Sequence, residues 1–378
     1  RARQVGHRVV AVCSARRPLP HLTGAERGLA ALAQRLFEEG QVDGPTVASG
    51  VVIDLRSDTV TKPTPGMLAA MAAAEVGDEQ EREDPTTNEL QRRMAELLGH
   101  EAALFLPTAT MANQAALRVL SRPGCKVVAE ERTHVLIYEW GGPAIHSGLI
   151  MQGLEADAGR PTPEQIAEVD EFGSGSVLVL ENTHRSSGGH IWPLDEFRAA
   201  VDAARSRSAA VHLDGARLFN ASVAAGIEPA AWGALADTVT ICFSKGLGCP
   251  FGAVLAGSVE TIEQGWEGKF LFGGALRQSG IAAAAMLYAL DHNVERLADD
   301  HARAKRLADG IGIDPSTVET NFVPIPDEPG LPDRLAERGV GVGGLRRGWL
   351  RAVTHLDIDD DDIDQAIERM QEVLSVPA

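Results

Sequence analysis

A lysine stands at the end of a run that otherwise has the composition of a buried strand. Thr238-Val239-Thr240-Ile241-Cys242-Phe243-Ser244-Lys245-Gly246-Leu247-Gly248 is apolar and β-branched as far as the Ser-Lys pair, then turns through glycines. Lysine is rarely buried unless it is paired or used. Partial desolvation lowers an ammonium pKa and makes the side chain an amine nucleophile, the group that forms Schiff bases. The plain alternative is a strand-end lysine pointing into water. A second strand upstream favours the first reading. Ala209-Ala210-Val211-His212-Leu213-Asp214-Gly215-Ala216-Arg217 puts a carboxylate, Asp214, at a strand's end before Gly and Ala.

A Schiff-base lysine together with a carboxylate facing a pyridinium nitrogen is what pyridoxal phosphate (PLP) requires of a protein. The cofactor ring is an electron sink only while its nitrogen stays protonated, and an anionic Asp beside that nitrogen raises its pKa. Two neighbouring strands of one sheet would present Asp214 and Lys245 to the same ring.

Further strand ends point to the same place. The strand Ala102–Leu106 runs through Pro107-Thr108-Ala109-Thr110 into a helix ending near Leu120. Free N–H groups and the helix dipole make such a turn an anion site, and small residues let a phosphate approach the backbone. Lys126–Glu130 is a strand followed by His134, and Val177–Leu180 is a strand that runs into Glu181-Asn182-Thr183-His184. A lone histidine after a strand is ordinarily a surface or satisfied residue. Ligands of open α/β sheets, however, lie beyond the strands' carboxyl ends, so Asn182, His184, Asp214 and Lys245 are expected to converge on one crevice.

Composition sets the bounds. The 378 residues, 44% hydrophobic and 23% charged, suit a globular chain with one large domain and a smaller one. Net charge is −18, from 35 basic and 53 acidic residues, which argues against nucleic acid and anionic membrane surfaces as partners. No apolar run approaches the roughly 18–20 residues that span a bilayer. The cysteines Cys13, Cys125, Cys242 and Cys249 form no C-x-x-C pair and no cluster with zinc spacing, so no metal is expected and a reducing cytoplasm is. Residues 1–51 differ from the rest: the first 25 hold five Arg and no acid, and Thr23-Gly24-Ala25-Glu26 has the form of a capping box opening a helix over Gly28–Glu39. They are read as an extension, with a short targeting or partner-binding arm as the alternative.

From about Ile53 onward the chain resembles the threonine aldolases, members of the β-eliminating-lyase group of PLP enzymes. The resemblance rests on Arg56-Ser57-Asp58-Thr59, Thr108-Ala109-Thr110, His134, Glu181-Asn182-Thr183-His184, Asp214-Gly215-Ala216-Arg217, Ser244-Lys245-Gly246-Leu247-Gly248 and Arg351-Ala352-Val353-Thr354-His355, in that order. It implies an α/β fold of the aspartate aminotransferase type. A large, mostly parallel sheet domain would occupy residues 52–295 and a smaller α+β domain residues 296–378.

The resemblance also implies roles. Lys245 would carry the cofactor, Asp214 face its nitrogen and His134 stack on its ring. Thr108, Ala109 and Thr110 would hold the phosphate, with Arg277 beside it, often across a dimer interface. Ser57, Arg217 and Arg351 would hold the substrate carboxylate, Arg217 also lying at the cofactor. His134, directly or through water with His184, would take a β-hydroxyl proton.

The implied reaction is retro-aldol cleavage of L-threonine, L-allo-threonine or a related β-hydroxy-α-amino acid to glycine and an aldehyde, by a dimer or tetramer with shared sites. Another PLP reaction on the same fold (β-elimination, racemisation or transamination) and a PLP-binding protein without turnover stay open. One departure keeps them so: Glu81-Arg82 stands where many members have Tyr-Gly.

Overall fold

The computed structural model describes residues 53–374; the extension, with the helix expected over Gly28–Glu39, lies outside them. The strands are β1 (Ile53–Leu55), β2 (Ala102–Leu106), β3 (Lys126–Glu130), β4 (Ile150–Leu154), β5 (Val177–Glu181), β6 (Ala210–Asp214), β7 (Thr238–Cys242), β8 (Ala253–Gly257), β9 (Phe322–Pro326), β10 (Val340–Arg346) and β11 (Trp349–Val353). Seven of them form a sheet in the order β2-β8-β7-β6-β5-β3-β4, in which only β8 runs antiparallel to its neighbours.

Every residue of β5 and β7 is buried, as expected for inner strands covered by helices on both faces. The alternation of side chains then sorts the residues. Leu178, Leu180, Val211, Leu213, Val239 and Ile241 join the main core with Trp192, Phe197 and Trp232. Between them in sequence, His212 and Asp214 on β6, and Thr238 and Thr240 on β7, point to the opposite face and are also buried. The helix Ala109–Leu120 packs against β6 and β7. The central sheet thus has one apolar face and one polar patch, sealed beneath a helix.

The second sheet has the order β1-β10-β11-β9, with β1 parallel to β10 and the other pairs antiparallel. Ile53, Leu55, Val323, Ile325, Val342, Leu350, Ile363 and Met370 form its core. β1 therefore pairs with the C-terminal part of the chain, although the sequence groups it with residues up to 295. The pairing has a consequence for chemistry. It sets Arg56–Thr59, just after β1, against Arg351 on β11, whose Nε donates to the Arg56 carbonyl at 3.1 Å. β10 was not anticipated from sequence, because Gly341, Gly343 and Gly344 weaken its strand character. The glycines have a steric reason: a Cβ on Gly343 would lie 2.4 Å from the Arg56 carbonyl oxygen.

The acidic segment before the second described α-helix is less loose than its composition suggests. That helix starts at Pro85, capped by Asp84, whose Oδ1 accepts from Thr87 N–H at 2.9 Å. Asp84 Oδ2 also accepts from the Gly77 and Gly280 N–H groups, so one buried carboxylate joins the segments 77–87 and 279–280.

Candidate active site

The polar patch is a continuous hydrogen-bond network. Asp214, 1% exposed, closes β6. Its Oδ1 accepts from Ala216 N–H at 3.1 Å and its Oδ2 from Asn113 Nδ2 at 2.9 Å. Asn113 lies in the helix Ala109–Leu120. The same Nδ2 donates to Glu139 Oε1 at 2.9 Å, and Asn113 Oδ1 lies 3.1 Å from His212 Nε2. His212 Nδ1 lies 2.8 Å from Thr238 Oγ1. The network assigns the tautomer: His212 donates from Nε2 to the amide oxygen and accepts the threonine hydroxyl at Nδ1.

Burial pushes the His212 pKa down from 6.5 to about 4, against the pull of Asp214, so the ring is neutral. Burial, with Lys305 and Arg296, likewise pushes His301 to about 4. An unfolded histidine takes a proton below pH ~6.5 that these buried rings refuse until about pH 4. Their contribution is therefore whole above pH ~6.5 and is lost as the pH falls toward 4, about 3 kcal/mol for each ring. Melting temperature is expected to drop across that window, and His212→Gln to flatten the slope. A wild-type profile flat from pH 7 to 4 would refute this.

Glu139, fully buried, accepts from Asn113, from Gln114 Nε2 at 2.5 Å and from His134 Nδ1 at 3.0 Å. The last bond fixes the His134 tautomer and leaves Nε2 with its lone pair. His134, Glu139 and Asp214 bring their ligand atoms within 4.8 Å of one another. Glu181, at the end of β5, accepts the backbone N–H groups of His134 (2.7 Å) and Arg185 (2.8 Å). One carboxylate thereby positions the loops after β3 and β5.

A group of cations lies beside this network. Arg217 grips Asp58 with two bonds, Nε to Oδ2 at 2.7 Å and Nη2 to Oδ1 at 2.5 Å, and both residues are buried. Burial alone would raise the Asp58 carboxyl. Arg217, with Lys245 and Arg351 further off, outweighs it and holds the group well below the usual carboxylate range. Ser57 is buried next to Asp58. Arg217 and Arg351 both pack on the Phe322 ring, at 4.9 and 5.3 Å from its centroid. Arg351 Nη1 is buried without a hydrogen-bond partner. Burial, Arg185 and Arg217 all push the Arg351 pKa down. A guanidinium stays charged in proteins, so the physical result is a site that lacks an anion.

Lys245 follows β7 and is half-buried; its carbonyl accepts from Thr61 Oγ1 at 2.8 Å. Among the described residues its ammonium has no hydrogen-bond partner. Thr108 caps the helix Ala109–Leu120 by accepting from Met111 N–H at 3.1 Å, and among the described residues the N–H groups of Ala109 and Thr110 have no partners.

The sequence of residues 54–323 matches the beta-eliminating lyase family. The chain belongs to this family. It is 40% identical over 325 residues to the low specificity L-threonine aldolase of Escherichia coli K12, covering 82% of this chain and 96% of that enzyme. It is 35% identical over 344 residues to the low-specificity L-threonine aldolase 1 of Arabidopsis thaliana, covering 85% and 96%. The structure of Leishmania major threonine aldolase superimposes with a TM-score of 0.73 at 18% identity, covering 85% of this chain and 99% of that one. The expected α/β architecture of the aspartate aminotransferase type is the one found.

As a lyase of this family, the chain has residues that fit PLP. Among the described residues the Lys245 ammonium and the N–H groups of Ala109 and Thr110 lack partners, Asp214 is a buried carboxylate oriented by Asn113, and Arg351 has an orphaned donor. Arg277 stands apart from these. Its side chain is 60% exposed and paired with Asp78 at 2.8 Å. Glu79 fixes that segment by accepting from Leu276 N–H and pairing with the buried Lys269.

His184 is buried. Its Nδ1 accepts from Ser187 N–H at 3.2 Å and its Nε2 lies 3.0 Å from Glu130, while the ring packs on Gly159, where a Cβ would come within 2.1 Å. Burial pulls its pKa down, but Glu181 and Glu130 prevail and hold it above the ordinary value. His134 Nε2 has no hydrogen-bond partner among the described residues; His184 Nε2 makes no hydrogen bond either, but it is buried against Glu130. Asn182 turns to Trp192, accepting its N–H at 3.2 Å. Arg82 packs against Trp266 and is paired with Glu263. Asn113, Glu139, His212 and Asp58 carry the geometry of this lyase site, and none was assigned a role from sequence.

Proposed function

We propose that this lyase cleaves L-threonine, L-allo-threonine or related β-hydroxy-α-amino acids to glycine and an aldehyde, with PLP as its cofactor. The observation that carries the reading is the His134–Glu139 pair: a base with an open Nε2, next to the carboxylate suited to a pyridinium nitrogen. The threonine aldolases among its relatives support the same reaction.

When bound, PLP supplies the electron sink that carbon–carbon cleavage next to an amine needs. Lys245 would carry it, Asp214 would face its ring nitrogen, and the amide groups at Ala109 and Thr110, with Thr108, would hold its phosphate. Arg351 and Arg217, with Ser57, hold the substrate carboxylate and so orient the Cα–Cβ bond. His134 Nε2 takes the β-hydroxyl proton as that bond breaks, and Glu139 stabilises the imidazolium that forms. His184, paired with Glu130, supports from the adjoining loop. Arg277, on an exposed segment, would serve a neighbouring subunit's phosphate in a dimer or tetramer. Residues 52–295 supply the cofactor groups and 296–378 supply Arg351. A cytoplasmic setting suits the free cysteines Cys125, Cys242 and Cys249.

The test is release of glycine and acetaldehyde from both threonine epimers by the PLP-loaded protein. Pyruvate and ammonia in their place would mean elimination. Glu139→Gln is expected to lower kcat about 100-fold with little change in KM, because a carboxamide leaves the His134 tautomer unfixed. An unchanged kcat would remove His134 from the proton-transfer role.

A further inference from the structure

Arg185 is a second cation on the substrate side that the reaction above does not use. It follows His184, and its backbone is fixed by Glu181. Its Nη1 donates to Tyr138 Oη at 2.5 Å, and its guanidinium lies 4.3 Å from the centre of the Tyr138 ring. Tyr138 is in turn 5.5 Å, centroid to centroid, from the His134 ring. Arg185 is half-buried, and among the described residues no carboxylate lies within ion-pair distance of it. Both Arg185 and Tyr138 are near enough to Arg351 to act on its charge.

The three arginines on Phe322 and Tyr138 can be matched with anions one by one. Arg217 has Asp58. Arg351, with its orphaned Nη1, is matched by the substrate α-carboxylate under the proposed function. Arg185 is left over. It covers Tyr138, whose ring adjoins His134, the base that meets the β-hydroxyl under the proposed function, so an anion held by Arg185 would belong to the β-substituent. A guanidinium held on an aromatic face keeps its charge and its other donors for a carboxylate.

We infer that Arg185 makes this site selective for β-hydroxy-α-amino acids bearing a second carboxylate on Cβ, of which 3-hydroxyaspartate is the simplest. The inference rests on the proposed function and names its substrate class. The cleavage balances: the Cα–Cβ bond breaks, the hydroxyl proton leaves, Cα gains a proton, and the products are glycine and glyoxylate. Arg185 contacts only the carboxylate that departs with the aldehyde.

Two measurements on the PLP-loaded protein test this. The first compares kcat/KM for 3-hydroxyaspartate and threonine. The second compares calorimetric affinities for L-aspartate and L-2-aminobutyrate, which differ in the same carboxylate and need no cleavage. The acidic member is expected to be favoured at least about tenfold in each pair, the low end for a charge-assisted hydrogen bond. Arg185→Gln should erase the ratio, and Arg185→Lys should keep part of it. No preference in the wild type overturns the inference, as does a loss in Arg185→Gln that falls equally on both members, which would make Arg185 part of the α-carboxylate grip. An aspartate preference without cleavage of any β-hydroxy amino acid would sink the aldolase reading and leave the acidic subsite standing.

Discussion

Lys245→Ala is expected to lower kcat for glycine release by at least about 10³-fold, on the scale of removing a nucleophile, and to abolish the visible absorbance of the bound cofactor. The side chain is half-buried beyond the end of β7, yet among the described residues its ammonium bonds to nothing. Its polar links to the described residues are its carbonyl and its charge, which Asp58 feels. Alanine keeps the carbonyl, so the bonds from Thr61 and Gly248 survive and the fold should persist. A large loss of activity without a loss of thermal stability is the signature of a chemical role. Turnover within about tenfold of wild type would sink the assignment. A variant that unfolds would instead reveal a structural role for the ammonium that its bonding does not indicate.

Lys245 and Asp214 were legible in the sequence because each is ionisable and ends an apolar run, where packing alone would not put it. The groups that orient them were hidden for different reasons. Asn113 follows the small-residue turn by three positions and looks like an ordinary polar helix residue. Only the packing of that helix on β6 and β7 aims its amide at Asp214 and Glu139. Glu139 is five residues past His134 in an irregular segment, where no periodicity indicates that it turns back. A usable signal was present in the strands themselves. Val211-His212-Leu213-Asp214 alternates apolar and polar, as does Thr238-Val239-Thr240-Ile241, and two such inner strands side by side imply a buried polar face.

The arrangement of the second sheet was least legible. A three-residue β1 and a glycine-rich β10 carry weak local signals, and their parallel pairing joins residues some 290 positions apart. That pairing makes one cation site from Arg56–Thr59 and Arg351. It also brings Ser57 and Arg351 together, as the proposed grip on the substrate carboxylate requires.

Asp58→Asn should be the most damaging substitution for stability, by about 3–5 kcal/mol, because it leaves a buried guanidinium without its partner. Arg217 would keep a neutral amide in place of a bidentate carboxylate, with Arg351 and Lys245 still nearby. The pH dependence gives a second readout. The folded Asp58 carboxyl is held below its unfolded value, so its contribution is whole above pH ~4 and is lost as the pH falls through and below that range. The wild type should therefore lose stability on acidification below pH 4 more steeply than the variant, which starts lower but has no such proton to bind. The third readout separates this pair from an ordinary structural salt bridge. With Asp58 neutralised, the site holds Arg217, Arg351 and Lys245 with no counter-charge between them, so a small carboxylate such as acetate should raise the variant's urea midpoint more than that of the wild type. Equal stabilisation of the two proteins by acetate would mean that these cations do not share one anion site, and the placement of the substrate carboxylate would fall with it.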